Sequence, residues 1–85
     1  MAFSVQITPE ALAQVETLQE PVHARILAVV DRLGKWPRVS GVKALRGRLA
    51  GHYRIRTGDY RVQFRLEGER LIVEKVGHRD GFYED

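Results

Sequence analysis

Two alternating runs, 51–57 and 60–66, meet across a tight turn and constrain this chain more than any other feature. The stretch reads His52-Tyr-Arg-Ile-Arg-Thr57, then Gly58-Asp59, then Tyr60-Arg-Val-Gln-Phe-Arg-Leu66. Period-two alternation marks strands that are buried on one face, and glycine at the first turn position supplies the positive φ of a two-residue hairpin. That turn fixes the register. Thr57 faces Tyr60, Ile55 faces Val62 and Tyr53 faces Phe64, giving one apolar face. The other face pairs Arg56 with Arg61 and Arg54 with Gln63. Like charges directly opposed across strands cost from a few tenths to about 1 kcal/mol. Three arginines converging with no acid among them read as a seat for phosphate, which guanidinium groups bind bidentately. The structural alternative is an ion pair from Arg54 or Arg56 to Glu74 on the following strand.

The apolar face needs a cover, and the chain before the hairpin supplies one. Phe3 to Ile7 alternates as a first strand. Thr8-Pro9 then gives an N-cap hydroxyl followed by proline at the first helical position. Ala11, Leu12, Val15 and Leu18 follow at helical spacing. Glu20-Pro21 opens a second helix to about Leu33, with Val22, Ile26, Val29, Val30 and Leu33 in one stripe before Gly34. Residues 35–47 read as a loop without periodicity, in which Trp36 either plugs the core edge or offers a stacking surface for RNA. A third strand, 70–77, follows the turn Glu67-Gly68-Glu69-Arg70. The order β-α-α-β-β-β predicts an α+β fold in one domain, 1–85, with a helical hairpin on one face of a small, mostly antiparallel sheet.

Charge is concentrated where the hairpin lies. Residues 35–65 carry nine basic side chains against Asp59 alone, within a chain whose formal net charge is only +3. Such a block points to a polyanionic partner. Lys43, Arg46 and Arg48 alternate with Leu45 and Leu49, so the leucines read as anchors that leave the cations facing solvent. The absence of cysteine excludes a disulfide scaffold and a thiolate metal site. No apolar run reaches membrane-spanning length and the first residues lack a signal-peptide pattern, so the cytoplasm is the expected compartment.

Four ordered blocks carry a family resemblance: Leu45-Arg-Gly, Gly51-His-Tyr-Arg-Ile-Arg, Gly58-Asp-Tyr-Arg-Val, and Val76-Gly-His-Arg with Tyr83 beyond an aromatic residue. Over essentially its whole length the chain resembles the RelE/ParE toxin superfamily, and within it the RelE branch of ribosome-dependent mRNA endonucleases. The resemblance implies a type II toxin neutralised by a cognate antitoxin, with the ribosome, its small-subunit RNA and mRNA as further partners, whose RNA backbone Lys43, Arg46 and Arg48 suit. It implies a site of Arg54, Arg56, Arg61, Arg79 and Tyr83. The ParE branch shares the fold, is associated with DNA gyrase inhibition and lacks the nuclease residues. The shorter spacing from Arg79 to Tyr83, and histidine at 78 where some members have lysine, are departures from the RelE pattern.

The implied reaction is attack of an RNA 2′-hydroxyl on the adjacent phosphorus, leaving a 2′,3′-cyclic phosphate and a 5′-hydroxyl. It calls for no metal or other cofactor, since arginines clamp the phosphate and offset the charge of the transition state. Tyr83 is one choice of general base if neighbouring guanidiniums lower its pKa from about 10. His78, with an ordinary pKa near 6.5, is the competitor as base or as general acid. Phe82 either stacks a base or anchors the tail.

Overall fold

A computed structural model describes residues 3–82. The chain runs β1 (Ser4–Ile7), α1 (Pro9–Glu16), α2 (Val22–Leu33), β2 (Val42–Ala44), β3 (His52–Thr57), β4 (Tyr60–Glu67) and β5 (Arg70–His78). The strands form one sheet in the order β1-β5-β4-β3-β2, with β1 parallel to β5 and every other pair antiparallel. This is the expected α+β arrangement, a helical pair on a mostly antiparallel sheet.

Local chemistry explains the elements. The Thr8 hydroxyl accepts the Ala11 amide at 3.1 Å, capping α1 ahead of Pro9. At α2 no side chain caps from position 21; instead Glu20 Oε1 accepts the Ala24 amide at 2.9 Å. Ala11 and Val15 of α1, with Ile26, Val29 and Leu33 of α2, are buried against Ile55, Val62, Phe64, Leu71, Val73 and Val76 of the sheet. Leu12, placed on the apolar stripe by spacing, is 44% exposed. Trp36 does plug the core edge: its ring meets Tyr53 and Phe64 edge-on, both at 5.4 Å.

The hairpin register is the expected one from His52↔Arg65 to Thr57↔Tyr60. Gly58 sits at φ 59° and among the described residues none other than glycine has positive φ, the pattern of a type II′ turn. Two features depart from expectation. Within the segment read as loop, Val42–Ala44 forms a three-residue edge strand on β3, with Lys43 opposite Arg54. The other is a β-bulge: β4 and β5 pair as Phe64↔Val73 on one side of it and as Gln63↔Lys75 on the other, so Glu74 is the extra residue. One inserted residue turns every later side chain to the opposite face. Glu74 and Lys75 both look away from the helices, Gly77 comes to lie opposite Arg61, and His78 lies opposite Tyr60.

Candidate functional site: an arginine-bearing sheet face

Because Tyr53, Ile55, Val62 and Phe64 belong to the core, strand alternation forces Arg54, Arg56, Arg61, Gln63 and Arg65 onto the face that the helices leave open. Arg56 and Arg61 are directly opposed. Among the described residues no carboxylate lies within 4.0 Å of Arg54, Arg56 or Arg61, so the ion pair to Glu74 considered above does not form. Glu74 is occupied elsewhere. Its Oε2 accepts from Gln63 at 2.8 Å and contacts His52 Nδ1, and its Oε1 accepts from Arg65 Nη1 at 2.9 Å. The face is therefore divided: a neutralised network around Glu74 toward one end of the hairpin, and bare guanidiniums from Arg54 toward the turn.

Burial would push the Glu74 carboxyl up, but hydrogen bonds from Gln63, His52 and Arg65 outweigh it and hold the group below its ordinary value. A carboxyl depressed in the folded state adds stability above its unfolded pKa, and that stability is lost as pH falls through the folded one. Stability is therefore expected to decline as pH drops below about 4.5. Glu74→Gln should flatten that decline while lowering stability at neutral pH by about 1–3 kcal/mol. Urea titrations of both proteins across this range check it.

Arg54 stands apart from its neighbours. Its Nε is buried and has no hydrogen-bond partner, and a buried unpaired donor costs about 1–3 kcal/mol. Its side chain lines an open cleft of about 570 Å³ with Lys43, Ala44, Leu45, Arg46 and Leu49. Two of the residues expected to touch RNA backbone, Lys43 and Arg46, thus adjoin the hairpin face. Arg48 is exposed on the 3-10 turn Gly47–Leu49 and does not line the cleft.

The tail brings some expected residues to this face and takes others away. The Arg79 amide donates to the Asp59 carbonyl at 2.7 Å, and its guanidinium lies 3.9 Å from the Asp59 carboxylate and 3.7 Å from that of Asp80. Arg79 therefore stands at the turn end of the hairpin and, unlike the other arginines of the set, has acids beside it. His78 is on the helix side of the sheet, away from Arg56 and Arg61. Its ring meets Tyr60 edge-on at 5.2 Å and its Nδ1 accepts the Asp80 amide at 3.1 Å. The bulge is the cause of that placement. Phe82 anchors the tail on the open face: it is buried, and its ring lies where a Cβ on Gly77 would be 3.4 Å away. Lys75 sits over that ring at 4.6 Å and donates to the Phe82 carbonyl. Tyr83, expected as a base, lies outside the described residues.

Reading residues alone offered Glu74 as an acid for this face but gave it the wrong arginines, and did not find Gln63, Arg65 and His52 as its partners. The available signal was the second turn, whose register Glu67↔Arg70 continues to bring Glu74 beside Gln63. Among the described residues no group of three or more histidines and acids is placed to hold a metal ion, and no helix is long and apolar enough to cross a membrane.

Residues 5–81 match the family profile of the ParE toxin of type II toxin–antitoxin systems. Among solved structures, the RelBE2 toxin–antitoxin complex of Mycobacterium tuberculosis superposes with a TM-score of 0.81 at 26% identity, covering 93% of this chain and 100% of that one. The archaeal RelE–RelB complex of Pyrococcus horikoshii gives 0.75 at 28% identity, covering 93% and 97%. The isolated RelE toxin of E. coli gives 0.75 at 23% identity, covering 91% and 84%, a likeness of fold. No curated protein matches the chain.

Proposed function

From the premise that this chain belongs to the ParE toxin family of type II toxin–antitoxin systems, we propose that it is a toxin of the RelE kind, an endoribonuclease that cleaves mRNA in the ribosomal A site. The observation that carries the reading is the set of guanidiniums at Arg54, Arg56 and Arg61, held on one face without a counter-charge among the described residues. A core-facing alternation demands side chains at those positions, but it does not demand three of one sign. A phosphodiester between Arg56 and Arg61 supplies the missing negative charge. The same contact strengthens as the phosphorane gains charge, so it favours the transition state over the ground state.

In this reading the 2′-oxygen attacks phosphorus as its proton passes to a base, and the bond to the 5′-oxygen breaks as that oxygen gains a proton. Tyr83 is proposed as the base, and Arg79, at the turn end of the hairpin, as a further contact to the phosphate. His78, pointing to the other face, fits the base or acid role less well. The ribosome's part is to splay the message for in-line attack, which a small protein with few proton-transfer groups does poorly alone. A cognate antitoxin is the expected inhibitor, as in the solved toxin–antitoxin complexes, and an acidic or amphipathic segment suits this basic face.

The family profile also favours a second reading, a gyrase-inhibiting toxin without nuclease activity. Purified protein added to a translation extract, with message ends mapped by primer extension, separates the two. Codon-spaced ends are the expected result. Intact message together with blocked DNA supercoiling supports the gyrase reading.

A further inference from the structure

We propose that the cleft beside β2 is a second phosphate site, which holds the nucleotide next to the one being cleaved. The inference rests on the reading of this face as an RNA surface. Three observations carry it. Arg54 brings a buried, unpartnered guanidinium nitrogen to the cleft. Lys43, its cross-strand partner, and Arg46 add two more cations to the same walls. Ala44, Leu45 and Leu49 make the rest of the lining apolar.

That combination matches one nucleotide: an anionic linkage for the cations and a flat base for the leucines. Isolated phosphate needs no apolar wall, and an apolar peptide needs no cations. A small turn of the guanidinium toward an entering phosphate gives Arg54 Nε the acceptor it lacks among the described residues. Spacing supports the assignment. Arg54 and Arg56 point the same way two residues apart on one strand, about 6.8 Å, a separation that adjacent linkages of an extended strand can match. One linkage then sits between Arg56 and Arg61, and its neighbour sits at Arg54. This moves Arg54 from the reacting phosphate to substrate positioning. It also makes the edge strand β2 part of the site, because it brings Lys43 alongside Arg54.

The test is binding, read without cleavage. RNA trinucleotides with 2′-O-methyl sugars, which cannot be cleaved by 2′-oxygen attack, have two linkages, either of which can be replaced by a neutral methylphosphonate. With the parent protein each replacement should weaken binding by roughly tenfold. With Arg54→Ala one of the two replacements should become silent, and with Arg61→Ala the other should. Among the described residues Arg54 Nε has no hydrogen-bond partner to lose, and its removal relieves a buried unpaired donor, so the variant's melting temperature should not fall below the parent's. Both variants silencing the same linkage, or neither silencing one, overturns the second site. Unchanged trinucleotide binding by Arg54→Ala, with binding of an acidic peptide lost, overturns it in favour of a protein segment. Absence of message cuts in the translation extract speaks against the nuclease reading alone, because this measurement requires no catalysis.

Discussion

Arg61→Ala is expected to abolish message cutting while leaving the protein as stable as its parent, or more stable by a few tenths of a kcal/mol. Arg61 makes no hydrogen bond or ion pair among the described residues and faces Arg56 directly, so its removal relieves a like-charge pair. If Arg61 holds the reacting phosphate, losing a charged donor that tightens in the transition state should lower the cleavage rate by about 10²–10³-fold. The two effects have opposite signs, and that makes the variant informative. A purely structural arginine gives loss of both stability and activity, whereas an idle surface arginine leaves both in place. Primer extension and a urea titration on the same preparation read the two quantities. Arg61→Lys should recover part of the activity, since an ammonium keeps the charge but loses the planar two-donor fork.

The largest stability effect is expected at Phe64→Ala. Phe64 is fully buried, stacked on Tyr53 at 5.5 Å and met edge-on by Trp36. Truncation leaves a cavity beneath both helices and removes two aromatic contacts, a cost of about 3–5 kcal/mol. Domains of ordinary size have only about 5–15 kcal/mol of stability, and a small one lies toward the low end. The variant should be substantially unfolded at physiological temperature. Trp36, the single tryptophan, reports this directly, because its emission depends on the packing that the substitution removes. Leu27→Ala is the control: at 47% exposure it should change stability by no more than about 0.5 kcal/mol.

Much of the fold could be read from residues because its strongest signals are local. A glycine that sets a two-residue turn determines six cross-strand pairs, and the apolar alternation then decides which face meets the helices. The arginine face follows without further information. What escaped the reading depends on contacts distant in sequence. Val42-Lys43-Ala44 has no alternation of its own and becomes a strand only because the outer edge of β3 accepts one. The side of the sheet taken by His78 depends on one bulged residue. Without it, the Glu67↔Arg70 register would carry on to place Arg61 opposite Val76 and His78 on the arginine side. Gly77 marked a change at this point, but its sequence neighbours do not say which way the chain turns. On the side it takes, the imidazole meets the Tyr60 ring edge-on.

The sheet order also sets when this protein becomes active during its own synthesis. β1 holds residues 4–7, and its neighbour in the sheet is residues 70–73, made long after it. α1 waits as well, since Gln14 accepts the amide of Val76 at 2.7 Å and Thr8 donates to Val73. Pairings of such long sequence separation form slowly and late. A nascent chain therefore emerges with β1 and α1 still without their partners on β5. A cell making this toxin gains the time needed to make β5, plus a folding step, before the product can act, and a partner already present can meet it in that interval.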